Sequence, residues 1–333
     1  MATMKDIAKE TGLGLATISK YLNGGHVLDQ NKAAIELAIE KLGYTVNEFA
    51  RGLKTSRSRT VGVVIPELSN VFITSIITIV EEILRRSGYA VIICDCGSDP
   101  QREVEAVRFL LGKQVDGIIS MPVSKDGMHL TAAFEKKLPV VLIDRMIYSL
   151  KDKVSAVLVD NVGASSHATS LLLEAGHREV GIILGPQDVY TSQQRLLGYS
   201  QIMLANGLLQ DASLVVYSDY SVQGGYESMK RLLRRPGMTA AFVTNYEMTL
   251  GAIIALNELG VQMPNQISLI GFDNQQLSRV IRPRLTIITQ PLEGIGEAVA
   301  EILLTQLDEH GGHAPQVVTL STDVLLGESI RKI

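Results

Sequence analysis

The sequence predicts an all-α helix-turn-helix unit at the N-terminus, followed by a larger α/β part made of two doubly wound parallel sheets. Three observations carry this. Two short amphipathic segments meet at Gly12 near the N-terminus. From Thr60 onward, short aliphatic runs alternate with amphipathic helical stretches. The charge also changes sign: residues 1–59 hold nine Lys/Arg against six Asp/Glu, and residues 60–333 hold 22 against 29. The overall charge of −4 therefore hides a basic N-terminal part, the distribution expected of a nucleic-acid contact. At 333 residues the chain is too long for one ordinary core, so several domains are expected.

Residues 4–11 and 15–22 read as two helices joined by Gly12-Leu13-Gly14. Thr3 followed by Asp6 offers a capping-box start. Gly12 suits the turn because it reaches positive φ without steric cost. Ile7, Ala8, Ile18 and Leu22 recur at helical spacing, with Lys5, Lys9, Thr17, Ser19 and Lys20 between them. Such a pair places its second helix in the DNA major groove. A third helix is expected over 30–42, with Asp29 as cap, Ile35, Ala38, Ile39 and Leu42 as inner stripe and Gly43 as stop. A fourth amphipathic stretch, 47–55, runs into a polar, basic linker at 56–59.

The order Thr3-x-Lys5-Asp6-Ile7-Ala8, Ala16-Thr17-Ile18-Ser19-Lys20, Leu22-Asn23-Gly24, Leu42-Gly43-Tyr44, Asn47-x-x-Ala50-Arg51-x-Leu53 is similar to the headpiece and hinge helix of the LacI/GalR family of bacterial transcription regulators.

In the body, strands are expected over 61–65, 90–94, 117–120, 140–143 and 156–159, then 180–184, 214–217, 240–244, 268–272 and 286–289. Helices are expected over 74–86, 102–113, 130–137, 165–175, 193–206, 224–234 and 248–259. This repetition resembles the two-lobed, periplasmic-binding-protein-like fold of the same family. The resemblance implies a chain that crosses between lobes three times, with a ligand in the cleft beyond the strand ends. The domains expected are 1–46, the DNA-binding headpiece; 47–59, hinge helix and linker; 60–160 plus 291–321, one lobe; and 161–290 plus 322–333, the other. Matching motifs include Pro66-x-x-Ser69-Asn70-x-Phe72, Ile143-Asp144-Arg145, Gly176-His177-Arg178, Arg195-x-x-Gly198-Tyr199, Ile270-Gly271-Phe272-Asp273 and Gln290-Pro291.

The resemblance assigns DNA contacts to both parts of the headpiece. Leu15 and Ala16 have no hydrogen bond to offer a base edge, so they would read thymine methyls or shape. Lys20, where Arg is common in the family, would reach guanine or phosphate without Arg's planar fork. Thr17, Ser19, Asn23 and the start of the first helix, Thr3 and Lys5, are expected on phosphates. Leu53, in the stretch with Ala50 and Lys54, is expected to wedge into the central minor-groove step and kink the DNA.

In the cleft, Arg195 and Asp273 match positions that hydrogen-bond effector hydroxyls or carboxylates in the family. Asn245 is the next match, and Asn70, Phe72, Asp144, Tyr220 and Gln290 would line the rim. Tyr246 stands where the family commonly has Asp, which removes a negative charge, adds a stacking face and points to an acidic or unusually substituted effector. The partners expected are double-stranded operator DNA, a small effector (sugar, sugar phosphate or sugar acid) and a second copy of the chain, with no cofactor or metal. A homodimer is expected because no leucine-heptad segment follows the last strand.

Other classes find no support. There is no Gly-x-Ser-x-Gly elbow, His-Glu-x-x-His or Walker loop, and Gly12-x-Gly14 lies between helices rather than after a strand. Enzymatic function is therefore not expected. Cys94 and Cys96 are read as reduced, partly buried residues at a strand end, and His177, His310 and His313 as structural or solvated. With neither an export signal nor an apolar run of about 20 residues, a cytoplasmic protein is expected rather than a transporter's solute receptor. A regulator answering to a phosphorylated carrier protein is the alternative reading.

Overall fold

The computed structural model describes residues 2–22, 24–44, 57–208, 211–273, 275–308 and 314–333. The expected hinge helix with Ala50, Leu53 and Lys54 lies outside them, as do Asn23, His310 and His313. The chain divides into two compact units, Met1–Arg59 and Thr60–Ile333.

The first unit holds helices α1 (Met4–Thr11), α2 (Leu15–Leu22) and α3 (Asp29–Leu42). The capping box forms: the Asp6 amide donates to the Thr3 hydroxyl at 3.4 Å, and the Thr3 amide donates to the Asp6 carboxylate at 2.8 Å. Gly12 (φ 70°) and Gly43 (φ 58°) end α1 and α3 in the left-handed conformation that glycine adopts cheaply. Asp29 does not cap α3. The helix starts one residue earlier than expected, its N-cap is Leu28, and the Leu28 carbonyl accepts from the amides of Asn31 and Lys32 at 2.9 and 3.0 Å. Asp29 is left in the first turn, where its charge faces the positive end of the helix dipole. Ile7, Ile18, Ile35 and Ala38 form the buried centre, flanked by Ile39 and Leu42. Tyr21 ties α2 to α3 through Glu36 (2.7 Å), and Lys41 ties α3 to α1 through Glu10 (2.5 Å).

The second unit contains two six-stranded sheets. The first comprises β1 (Thr60–Ile65), β2 (Ala90–Asp95), β3 (Gly117–Ser120), β4 (Val140–Ile143), β5 (Ser155–Val159) and β11 (Val317–Leu320), in the order β11-β5-β4-β3-β1-β2. The second comprises β6 (Val180–Leu184), β7 (Val215–Tyr217), β8 (Ala240–Val243), β9 (Ser268–Phe272), β10 (Thr286–Thr289) and β12 (Asp323–Leu325), in the order β12-β10-β9-β8-β6-β7. Every neighbouring pair is parallel except β10 with β12. Parallel strands buried on both faces demand the continuous aliphatic runs that the sequence shows.

Helices cover both faces of each sheet. On the first lie α4 (Val71–Arg86), α5 (Pro100–Gly112), the short α6 (Thr131–Glu135) and α12 (Leu292–Asp308). On the second lie α7 (Asn161–Glu174), α8 (Tyr190–Ala205), α9 (Val222–Leu233), α10 (Tyr246–Glu258) and the short α11 (Gln275–Val280). Most helices begin two to four residues before the expected start, because polar caps lie upstream of the first apolar position. Asn70, Asp99, Asp160, Ser221 and Asn245 each accept from an amide of the first turn. Helix α12 and strands β11 and β12 belong to no expected element. The chain passes from the first sheet to the second between β5 and α7, back between β10 and α12, and again between β11 and β12.

The α9–α10 pair is closed by two glycines. A Cβ on Gly251 would lie 1.9 Å from the Val222 carbonyl oxygen, and one on Gly225 2.3 Å from the Met248 carbonyl oxygen. Backbone cannot yield as a side chain can. Gly251→Ala is therefore expected to destabilise this unit by about 3 kcal/mol, the upper part of the overpacking range, read as a lower denaturation midpoint.

Candidate functional site

In the first unit, α2 turns Ile18 inward and leaves Leu15, Ala16 and Lys20 exposed, with Thr17 and Ser19 half-buried. Thr3 and Lys5 are exposed on α1 and its cap. The Thr3 hydroxyl is engaged by the Asp6 carboxylate at 2.7 Å, so its first role is to hold the helix start.

In the second unit, Asp144 follows β4 and Asp273 follows β9, at matching places in the two sheets. Both have left-handed backbones, φ 65° and φ 70°. The Asp144 amide donates to Val157 at 3.0 Å and the Asp273 amide to Ile288 at 2.7 Å, so each bend is fixed by the neighbouring strand. Buried Arg195, on α8, donates through Nε to Asn161 Oδ1 at 2.7 Å and through Nη1 to the Thr244 carbonyl. Its guanidinium lies 4.0 Å from the centre of the Phe272 ring. Gln290, just past β10, donates to Asp273 Oδ1 at 2.5 Å. Asn245 caps α10 through Met248 (2.8 Å) and donates to the Glu247 carboxylate.

The carboxyl groups are held against their usual acidity. Burial pushes Asp273 up to about 7, with Asp144 and Glu247 adding repulsion and Arg195 and Gln290 opposing. Burial raises Asp144 too, against the pull of Arg195 and Arg145, and raises Glu247. Asp144 Oδ1 and Gln290 Oε1 are buried without a hydrogen-bond partner among the described residues. Buried acceptors without donors cost free energy that a hydroxyl-bearing ligand would return.

The structure thus joins Asp144, Arg195, Asp273 and Gln290 electrostatically, with Asn245 beside them through Glu247. Tyr220 (φ 65°) shares its hydroxyl with Thr191 and Ser192, each at 2.9 Å. Asn70 spends its side-chain oxygen on the Ile73 amide (3.1 Å), and Phe72 packs on the core of the first sheet. Tyr246 is half-buried in the first turn of α10.

Sequence reasoning missed a cavity of about 350 Å³ formed by residues 122–126, 145–149, 188–190 and Gln193. Its floor is held from below by Glu103, whose buried carboxylate accepts from the Val123 and Ser124 amides at 2.7 and 2.9 Å. His129 Nε2 stands 3.5 Å from that carboxylate, and burial keeps the imidazole less basic than usual. The available signal was Glu103 itself, an acid in the first turn of α5 at helical spacing from the apolar Val107, Leu110 and Leu111. His177 is structural, bonded to Thr239 (2.8 Å) and to the Arg331 carbonyl (3.1 Å). No group of metal-ligand residues occurs among the described residues, and none of their helices is long and apolar enough to cross a membrane.

Two parallel sheets with a polar cluster beyond their strand ends, together with a helix-turn-helix unit, define a class of DNA-binding regulators. Residues 3–47 match the family of bacterial regulatory proteins of the lacI type, and residues 169–330 match the periplasmic binding protein-like domain. The chain is 33% identical to catabolite control protein A of Priestia megaterium, over 91% of this chain and 92% of that one. It is 31% identical to the transcriptional repressor CytR of Escherichia coli K12, over 95% and 93%. A solved complex of the regulator CelR with cellobiose superposes with a TM-score of 0.76 at 28% identity, covering 99% of this chain and 100% of that one. The chain belongs to the LacI family of bacterial transcription regulators and is not an enzyme.

Proposed function

We propose that the protein is a homodimeric repressor of carbohydrate uptake or catabolic genes, released from or held on a palindromic operator by a sugar-type effector in the inter-lobe cleft. The observation that carries the effector reading is the pair of carboxyl groups, Asp144 and Asp273, presented by the two sheets to one arginine. Vicinal hydroxyls donate to carboxylates and accept from a guanidinium, which suits a polyol. Asp144, Asp273 and Glu247 are already held against ionisation by burial and mutual repulsion, and a further anion beside them would add to that repulsion, which favours an uncharged sugar over a sugar phosphate or sugar acid. Glu247, one residue after Tyr246, returns a carboxyl group to this end of α10, which weighs toward a neutral effector rather than the acidic one expected from the loss of Asp at 246. The cellobiose of the CelR complex is a sugar of the same neutral kind.

The alternative, a phosphorylated carrier protein docking on the first lobe, draws on the likeness to catabolite control protein A. Two of that lobe's helices offer it little. Helix α12 carries Glu293, Glu297, Glu301 and Asp308 on its exposed side and no Lys or Arg. On α4, Arg85 and Arg86 are paired with Glu81 and Glu82.

Selection of the purified full chain on random duplex DNA at physiological salt tests the reading. An enriched palindrome with a flexible central step is the expected result, and absence of enrichment with and without added neutral sugars would sink it. On that operator, Lys20→Ala is expected to weaken binding about tenfold, the lower part of the 1–3 kcal/mol range for a base contact. If Lys20 touches only phosphate, the loss will instead be uniform across sequences and the salt slope will fall by about one. Leu53→Ala is expected to remove preference for the flexible central step while leaving the half-sites readable.

A further inference from the structure

The cavity of about 350 Å³ adjoins the carboxyl cluster without sharing a predicted residue with it. Arg145 lines the cavity, and its Nε lies 3.8 Å from Asp144 Oδ2. That Nε is buried and has no hydrogen-bond partner among the described residues. Two tyrosines close the other side. Tyr148 comes from the loop after β4 and Tyr190 from the start of α8, so each sheet supplies one. Their ring centroids are 5.8 Å apart, tilted by 58°, and Tyr148 is 61% exposed. Lys125 and Asp188 form an ion pair across the same gap. Gln193, one turn into α8, adds an amide able to donate and accept.

This arrangement differs from the inner site in kind. The inner site offers charged groups to hydroxyls; the cavity offers tilted aromatic faces with polar groups at the margin, which suits the apolar face of a ring. Its volume lies at the lower end of the roughly 300–1,000 Å³ of ligand pockets, enough for one more ring beyond the inner site. Building on the effector reading above, we propose that the cavity is an outer subsite for the second ring of an uncharged two-ring glycoside whose first ring sits against Asp144, Arg195 and Asp273. Because one tyrosine comes from each sheet, the subsite is complete only when the lobes are together. The second ring therefore binds the closed arrangement preferentially and biases the lobes toward it.

The chain contains no tryptophan, so Tyr148→Trp introduces a single indole reporter at the subsite. The full chain is titrated with matched neutral pairs: glucose and cellobiose, galactose and lactose, ribose and cytidine. The expected result is at least one pair whose two-ring member binds tenfold or more tighter than its one-ring member and changes the indole emission. Tyr148→Ala should then bring the two-ring affinity down to the one-ring level and leave one-ring binding as it was, while Asp273→Asn weakens both. Equal affinity within every binding pair, or two-ring binding to which the indole and Tyr148→Ala are indifferent, overturns the subsite and leaves the cleft reading standing. No binding by any member, with operator selection succeeding, overturns both.

Discussion

Arg195→Ala is expected to cost the second unit about 3–5 kcal/mol, the range for removing one partner from a buried charged network. The guanidinium satisfies Asn161 and the Thr244 carbonyl and covers the Phe272 ring. It also exerts the strongest attraction on both Asp144 and Asp273. Without it, the carboxyl groups take up protons, and two buried acceptors, Asn161 Oδ1 and the Thr244 carbonyl, lose their donor. Denaturant unfolding of the full chain measures the loss as a lower midpoint for the second unit, with the headpiece transition unchanged. Arg195→Lys is expected to recover little, because an ammonium cannot reproduce the planar fork that reaches Asn161 and Thr244 together. Full recovery by lysine would show that charge alone matters there.

Asp273→Asn is expected to act in the opposite direction on stability while damaging binding. In the folded protein Asp273 titrates at about 7 instead of its ordinary 3.8. A carboxyl raised in this way binds more protons folded than unfolded between those values. Its contribution to folding is therefore lost as pH rises from about 4 through 7, and the penalty is complete at pH 8. The asparagine keeps an oxygen for Gln290 and does not titrate. The variant should gain up to a few kcal/mol at pH 8 and nearly nothing at pH 4, seen as a melting temperature that diverges from wild type as pH rises. Effector binding should meanwhile weaken tenfold or more, since the carboxylate acceptor is gone. A variant no more stable at pH 8 than at pH 4 would show that Asp273 ionises freely. On the proposed effector reading, this buried carboxyl is an instability that a bound sugar would relieve, a common cost of a binding site.

Much of this was legible in the chain. Runs such as Val61–Ile65 within β1 and Val180–Leu184 read as buried parallel strands because nothing polar interrupts them. The headpiece was legible because Gly12, Gly43 and the isoleucines sit at positions that few other arrangements permit. Helix starts were misplaced because a cap such as Asn245 or Asp160 precedes the periodic apolar positions by several residues. Asp29 misled for the converse reason: it has the chemistry of a cap but lies inside the helix. Arg195 and Asp273 were accessible only through resemblance, because nothing local marks two residues 78 positions apart as neighbours. Of the outer cavity only Glu103, an acid on the apolar stripe of α5, left a trace in the sequence. The cavity is assembled from loops after β3, β4 and β6, and each loop alone reads as ordinary surface.

The places where the chain crosses between the sheets have a consequence for how such a protein can change. Asn161 begins α7 immediately after the first crossing and carries Arg195; Gln290 ends the run into the second and carries Asp273. The fulcrum and the load are the same residues. On the proposed effector reading, a substitution at Gln290 that retunes which sugar fits also alters the backbone segment of the second crossing. Specificity and response are then coupled there, and new effectors are acquired most freely at positions remote from the crossings, such as Tyr148, where a change of ligand leaves the lever untouched.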